Sequence, residues 1–301
     1  MNINYIKILR PNHWVKNFAV LLPLIFAMKI SCAKACGCAF KAAAIFCLLS
    51  SFIYIINDIR DRHHDRLHPH KKNRPIASGK VSIKGAFLVG VTLITIVLLW
   101  SYMAIPRILP FIGAYLALQI AYSFGLKKIV LLDVICIAMG FVIRASAGAA
   151  AIKVEISPWL FICMFTVCLF MGFCKRYNEK EALENDERAK NHRDTLIDYT
   201  PQLLTHLVTL SAGLAVIAFI SYAMSPQTIE RYGSEELVYT LPVVVYAIFR
   251  FAMISMKARY EGPTDIILKD RPFQLAATIW CVWVFLVINW DIIVSFFCQQ
   301  L

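Results

Sequence analysis

Three aspartates, Asp58, Asp61 and Asp65, stand at i, i+3 and i+7 where a long apolar run gives way to charge, in "INDIRDRHHDRLHPHKKNRP". At about 100° per residue, a helix carried through this stretch sets all three within a roughly 60° arc, with Asn57 at its edge. Carboxylates crowded on one face repel one another unless positive charge lies between them. Mg2+ meets that need near a membrane surface, because it takes one or two carboxylates and fills its shell with water and substrate phosphate oxygens. The three aspartates are therefore candidate Mg2+ ligands. The other reading is a solvated helix end whose acids pair with Arg60, Arg62 and Arg66, although those arginines point to other faces. His63 and His64 read as solvated.

Downstream, "HPHKKNRPIASGK" places Lys71, Lys72, Arg74 and Lys80 close to the acids. Metal-binding carboxylates beside phosphate-binding cations are what a pyrophosphate site requires: the metal bridges its oxygens and Lys or Arg takes the residual charge. A polybasic loop drawn to anionic lipid would account for the cations, but not for the aligned aspartates.

A second constellation lies in "LKKIVLLDVICIAMGFVIRASAGA", where Asp133, Gly140 and Arg144 share one helical face. Ionisable groups inside a membrane span are costly and face a bundle interior, a cavity or a partner. Asp133 and Arg144 are about three turns apart, too far for a direct pair, so each needs a partner elsewhere. A polar cavity would serve both. Gly140, Ala147 and Gly148 could equally serve close helix packing, and Lys127 adds a cation at the same end. A third cluster, "FCKRYNEKEALEND", holds Lys175, Arg176 and Glu179. Lys175 and Glu179 form an i, i+4 pair worth a few tenths of a kcal/mol on a surface, or they flank a ligand shared with the first acids. In "LRPNHWVKNF", Trp14 with Arg10 and Lys16 reads as an interfacial anchor; the functional alternative is a lipid headgroup held by Arg10, Lys16 or Asn17.

These residues need helices in lipid to position them. The chain has 301 residues, 59% of them hydrophobic, and a mean hydropathy of +0.64. Soluble domains are about half apolar, and apolar runs of about 18 residues, enough to cross a roughly 30 Å hydrocarbon core, recur along the whole length. The expectation is an all-α, multi-pass membrane protein of nine spans: 17–31, 42–57, 84–105, 108–126, 130–152, 157–174, 203–224, 237–256 and 275–297. Pro23 interrupts the first, and Pro106, Arg107 and Pro110 part the third from the fourth. With the N-terminus cytoplasmic, 23 of the 31 Lys and Arg fall on that side and 6 on the other. That asymmetry puts the acids inside and the C-terminus outside. It also explains the net charge of +12 without nucleic acid. No cleavable signal peptide is expected, since Pro11, His13, Trp14 and Lys16 interrupt the start. Most cysteines lie in apolar helix, where Cys acts as a small hydrophobe. Cys32, Cys36 and Cys38 complete no zinc spacing. With no internal repeat or linker, residues 1–301 read as one domain.

"NDIRDRHHD" resembles the NDxxDxxxD motif of the UbiA superfamily of intramembrane prenyltransferases. The resemblance runs through "LRPNHWVKNFAVLLPLIFA", "HPHKKNRPIASG", "YSFGLKKIVLLDVICIAMGFVIRASAGA", "CKRYNE", "LPVVVYAIFR" and "LKDRP", blocks that look like the branch containing decaprenyl-phosphate phosphoribosyltransferase. It implies nine helices around a cytoplasmically capped central cavity with a lateral opening to lipid. It also implies Mg2+ held by Asp-rich motifs on a diphosphate. The first motif is intact at Asn57, Asp58, Asp61 and Asp65. A second, DxxxD, would fall at Lys175 to Glu179, where one acid is replaced by a cation. That departure suits the phosphoribosyl branch, whose site must hold a sugar phosphate, a pyrophosphate and a lipid phosphate.

The resemblance therefore implies transfer of a 5-phosphoribosyl group from phosphoribosyl pyrophosphate to a polyprenyl phosphate at the inner (plasma) membrane. Asp58, Asp61 and Asp65 would hold Mg2+, and Asp133 or Glu179 would hold the ribose hydroxyls or offset charge on the sugar ring. Lys71, Arg74, Lys127, Arg144, Lys175 and Arg176 are the candidates for the phosphates, with Lys16, Asn17, Asn57 and Tyr122 as further substrate contacts. The alternatives are a UbiA-type prenyltransferase with a small aromatic acceptor, and a transporter or lipid-binding protein whose Asp133 and Arg144 line a pathway. A homo-oligomer is compatible with either enzyme reading.

Overall fold

The computed structural model describes residues 3–67, 71–155, 157–184, 195–257 and 263–288. Among these the chain is helical, without strands. Seven helical segments are long and apolar enough to cross a membrane: Ala33–Arg60, Ile83–Ala104, Pro106–Phe124, Leu132–Ala151, Pro158–Glu181, Pro201–Ala223 and Glu236–Met256. They match the second to eighth expected spans. The first expected span is different. Pro11–Leu21 forms a 3₁₀ run that passes into a short α-helix, Leu22–Phe26, with Pro11 at its start and Pro23 inside it, neither able to donate a backbone hydrogen bond. The ninth is described as the helix Arg271–Ile288; residues 289–297, like Arg188, Lys190, Arg193 and Arg259 of the basic face, lie outside the described residues.

The chain divides into two compact units. The first takes residues 1–127 and 139–156 and holds α1 (Ile3–Ile8), the 3₁₀ run, α2 (Leu22–Phe26), α3 (Ala33–Arg60), α4 (Arg62–Leu67), α5 (Ile83–Ala104), α6 (Leu109–Phe124) and most of α7 (Leu132–Ala151). Lipid tails are as apolar as leucine, so close packing of small residues and internal hydrogen bonds hold such a unit together. On α3, Ala35, Ala39 and Ala42 are buried at i, i+4 and i+7, and Ile45, Phe46 and Leu49 continue the core against Val97, Ile108 and Ile112. The outer face of α5 presents Phe87, Leu88, Leu99 and Met103, as a lipid-facing surface requires. Ser82 starts α5 by accepting a hydrogen bond from the Gly85 amide at 3.1 Å.

α7 packs tightly against the 3₁₀ run at Gly148. A Cβ there would lie 1.9 Å from the Val20 carbonyl oxygen, an overlap with backbone that no rotamer relieves. Gly148→Ala is expected to destabilise the protein by about 1–3 kcal/mol, read as a lowered unfolding temperature in detergent. The close-packing role weighed for this glycine is the one it has.

The second unit, residues 128–138 and 157–301, holds the first turns of α7, then α8 (Pro158–Glu184), α9 (Thr195–Asp198), α10 (Pro201–Ala223), α11 (Pro226–Tyr232), α12 (Leu241–Met256), α13 (Pro263–Lys269) and α14 (Arg271–Ile288). Val134, Phe170, Phe173, Val208, Phe251 and Ile266 form its core. Thr200 caps α10 through the Leu203 amide at 3.1 Å. Asp270 caps α14 through the Phe273 amide at 2.9 Å and binds Arg250 through both carboxylate oxygens, at 3.2 and 2.9 Å. One buried acid thereby ties α12 to the start of α14.

Candidate active site

The backbone ladder at the end of α3 runs on past its last residue: the Asp61 amide donates to the Asn57 carbonyl and the Asp65 amide to the Asp61 carbonyl, both at 2.8 Å. Asp61 is a single turn residue between α3 and α4. The helical spacing expected from the sequence is thus nearly kept, and Asp58 and Asp65 meet on one guanidinium. Arg74 Nη1 lies 3.1 Å from Asp58 Oδ1 and 2.7 Å from Asp65 Oδ2. Both acids are buried, 4% exposed. Asp61 faces elsewhere, 3.2 Å from Arg60 Nη2 and 3.6 Å from Lys127 Nζ.

The second cation on Asp58 is Arg10, whose Nη2 lies 2.5 Å from Oδ1. Arg10 sits just before Pro11 with φ +52°, a left-handed conformation uncommon outside glycine. Strain of this kind persists where surrounding contacts hold it. Here those contacts are the carboxylate and the Tyr54 ring, 5.0 Å from the guanidinium carbon. Of the three arginines weighed as partners on the helix itself, Arg60 takes Asp61, Arg66 donates to the Ala77 carbonyl at 2.9 Å, and Arg62 Nε is buried without a hydrogen-bond partner among the described residues. None of the three pairs with Asp58 or Asp65. Asn57 accepts from Ser123 Oγ at 2.7 Å, so α6 fixes the amide at the edge of the acid face. Lys71 lies exposed on a short 3₁₀ turn, Lys71–Asn73, and Tyr122 is partly buried on α6.

Among the described residues no group of three His, Cys, Asp or Glu is gathered to enclose a metal ion. Two carboxylates converging on one cation nevertheless fit Mg2+, which needs one or two and draws its other oxygens from water and phosphate. Asp58 and Asp65 balance Arg10 and Arg74, so this group is close to neutral, and a divalent ion would bring the positive charge that a pyrophosphate needs.

In the second unit, Asp133 is fully buried with both oxygens engaged. Arg176 Nε donates to Oδ2 at 2.7 Å, and Tyr199 Oη donates to Oδ1 at 2.8 Å. The Tyr199 oxygen accepts from the Leu131 amide at 2.8 Å, at a residue with φ +71°. Arg176, 1% exposed, also binds Glu179 Oε2, while Lys175 Nζ lies 3.6 Å from Glu179 Oε1. The i, i+4 pair expected from the sequence is present, but Arg176 is the hub. Asp133, expected among the reacting groups, is sealed by its neighbours. Its two oxygens are taken up by Arg176 and Tyr199.

Burial pushes the Tyr199 phenol well above its ordinary range, and Asp133 raises it further against the Leu131 amide. The phenol remains a donor at every working pH. Its stabilising contribution is fully present below the unfolded value near 10 and is lost as pH rises through the higher folded value. Tyr199→Phe removes the donor to the buried Asp133 and leaves the Leu131 amide without its acceptor. The expected cost is about 1–3 kcal/mol, seen as a lower unfolding midpoint at neutral pH.

Arg144 lies in the first unit, 5% exposed. Its Nε donates to Asn17 Oδ1 at 2.8 Å, Nη1 to the Gly140 carbonyl at 2.9 Å and Nη2 to Tyr115 Oη at 2.5 Å. Asn17 is buried while Lys16 beside it is exposed. Trp14, expected as an interfacial anchor, donates through Nε1 to Ser51 Oγ at 3.0 Å and so pins the 3₁₀ run to α3. Sequence reasoning passed over Ser123, Tyr115 and Tyr199 as site-building residues, and weighed Arg10 as an anchor or a lipid-headgroup contact but not as the partner of Asp58. The signal at Arg10 was a cation ahead of a proline.

The described helices include seven long enough to cross a membrane, and the first of them closes on paired acids and arginines. The description "UbiA prenyltransferase family" matches residues 20–268, and the chain belongs to that family. It is 34% identical over 279 residues to decaprenyl-phosphate phosphoribosyltransferase of Mycobacterium tuberculosis, covering 91% of each chain. It is 33% identical over 285 residues to the protein of that name from Mycolicibacterium smegmatis, covering 91% of this chain and 89% of the relative. A UbiA homolog from Archaeoglobus fulgidus, solved bound to GPP and Mg2+, shares the fold with a TM-score of 0.70 at 19% identity, over 95% of this chain and 99% of that one.

Proposed function

We propose that the protein transfers a 5-phosphoribosyl group from phosphoribosyl pyrophosphate to a polyprenyl phosphate, releasing pyrophosphate. The observation that carries this reading is the convergence of Asp58 and Asp65 on Arg74, with Arg10 behind Asp58, in a chain similar end to end to phosphoribosyltransferases of that kind. We read the 3₁₀ run with α2, and α14, as the first and ninth of nine spans. In this reading the chain lies in the plasma membrane with its N-terminus and acids cytoplasmic and its C-terminus outside.

Asp58 and Asp65 would hold Mg2+, which would supply positive charge to the pyrophosphate as it departs from C1 of the ribose. Asp61 lies at the rim beside Lys127. Arg10 and Arg74 hold the acids in register and offer hydrogen bonds to the departing oxygens. Asn57, held by Ser123, lines the same edge. Lys71 and Tyr122 stand as further substrate contacts in the first unit. Asp133 and Tyr199 keep Arg176, and through it Glu179, in place. The acceptor phosphate is ionised at neutral pH, so no strong base is needed, and the rate rests on positioning and charge stabilisation.

The test is purified protein in lipid nanodiscs with Mg2+, labelled phosphoribosyl pyrophosphate and a polyprenyl phosphate. Label entering the lipid with equal release of pyrophosphate is expected. Turnover of a prenyl diphosphate onto an aromatic acceptor, with phosphoribosyl pyrophosphate untouched, would establish the prenyltransferase reading instead. The family description favours that second reading. Against it, both Glu179 oxygens are occupied by Lys175 and Arg176, which leaves the second acidic position poorly disposed toward a metal. A transport pathway is disfavoured by the sealing of Asp133.

A further inference from the structure

We infer that Arg144, Asn17 and Tyr115 form a second anion subsite inside the first unit, which takes the phosphate monoester head of the lipid acceptor. The inference rests on the function proposed above and assigns one of its two phosphate-bearing substrates to particular side chains.

Arg144 is a buried cation in a membrane-spanning helix, and every hydrogen bond it makes goes to a neutral group: the Asn17 amide oxygen, the Gly140 carbonyl and the Tyr115 hydroxyl. Among the described residues it forms no ion pair with a carboxylate. Arg176, the other buried arginine among the described residues, is matched by two acids. A guanidinium has five N–H donors in a planar fork suited to phosphate oxygens, and these three bonds leave capacity for more. A buried charge without a counter-charge is costly, and such groups within a span mark substrate paths.

The surroundings hold the guanidinium in place without cancelling its charge. Asn17 Oδ1 also accepts from Ser50 Oγ at 3.2 Å, and Asn17 Nδ2 reaches Cys47 Sγ at 3.4 Å. The rings of Tyr115 and Phe141 lie 4.6 and 5.3 Å from the guanidinium carbon. Fixed dipoles around a fixed cation make an anion site that needs no reorganisation.

Placement along α3 separates the two anions. Cys47, Ser51, Tyr54 and Asp58 follow one another at intervals of four, three and four residues, a polar stripe on one helical face. At its outer end the acids with Arg10 and Arg74 suit a metal-bridged pyrophosphate arriving from water. Arg144 and Asn17 sit beside Cys47 and Ser50, about two to three turns deeper, with no acid to recruit a metal. A phosphate carried on an apolar chain reaches that depth from the lipid, and a water-soluble sugar pyrophosphate has no such route.

Full-length protein in detergent, without donor, would be titrated with a short-chain polyprenyl monophosphate, the matching polyprenol and inorganic phosphate, with binding read by native mass spectrometry. Wild type is expected to bind the monophosphate about tenfold or more tighter than the alcohol, with inorganic phosphate weakest. Arg144→Gln is expected to abolish that preference and Arg144→Lys to keep part of it, while binding of phosphoribosyl pyrophosphate with Mg2+ stays within about twofold of wild type. Should Arg144→Gln fail to fold, Asn17→Ala is expected to lower the preference severalfold. A retained preference in a folded variant overturns the subsite, as does a loss of donor binding in place of lipid binding. Tightest binding by free phosphate overturns the lipid assignment. An Arg144-dependent preference in a protein that transfers no phosphoribosyl group would leave the subsite standing and remove the proposed reaction.

Discussion

Asp58→Asn is expected to lower pyrophosphate release by about 10²–10³-fold while leaving a folded protein. Asp58 is the residue on which the two arginines and the proposed ion all depend: Arg10 and Arg74 both donate to its Oδ1. The amide keeps the shape and an acceptor oxygen but removes the charge that draws a divalent ion. Arg74 retains Asp65 at 2.7 Å, so the loop stays anchored and the unfolding temperature should move little. The same variant should need more Mg2+ to reach half of its remaining rate. Asp61→Asn should do less than either buried acid, because Asp61 is turned toward Arg60 and Lys127. Rates for Asp58→Asn within a few-fold of wild type would mean that the acid is a structural partner of the arginines only.

Arg176→Leu is expected to produce the largest loss of stability, about 3–5 kcal/mol, with low yield of folded protein. The substitution leaves the fully buried Asp133 facing Tyr199 with no cation. Such a residue costs far more when its partner is removed than the intact pair contributes. Asp133→Asn in the same chain should recover much of the loss, since a neutral amide accepts from Tyr199 without needing a counter-charge. A double-mutant cycle over the two positions isolates that coupling. Arg176→Lys should fall between, because an ammonium cannot span Asp133 and Glu179 as the planar fork does. A single Arg176→Leu variant that unfolds near the wild-type temperature would show the ion pair to be dispensable.

What was legible in the sequence is what short-range periodicity encodes. Apolar runs located the second to eighth spans. The four- and three-residue intervals placed Asp58 and Asp65 on one face, and the Lys175–Glu179 pair followed from i, i+4 spacing. The interval also put Asp61 with them, and there local geometry prevailed: Asp61 is the turn between α3 and α4, and its carboxylate swings toward Lys127. The form of the first expected span was not legible, because hydropathy measures composition. Pro11 and Pro23 decide conformation, and they give a 3₁₀ run followed by a five-residue helix.

The rest of the site is assembled over long separations. Arg10 and Asp58 are 48 residues apart, Tyr199 and Asp133 are 66 apart, and Arg144 and Asn17 are 127 apart. No spacing rule reaches across such distances. The cost of an intramembrane charge did predict that Asp133 and Arg144 each need a partner, without naming one. Asp133 found a cation and a phenol; Arg144 found only neutral groups.

The most direct measurement is a structure of the protein with phosphoribosyl pyrophosphate and Mg2+. The account predicts an ion about 2.0–2.1 Å from a carboxylate oxygen of Asp58 or Asp65 and in contact with the pyrophosphate oxygens, with the guanidinium of Arg10 or Arg74 turned toward the same group. A donor bound away from α3 and α4, with the arginine pairs on Asp58 and Asp65 undisturbed and no ion between them, would contradict it.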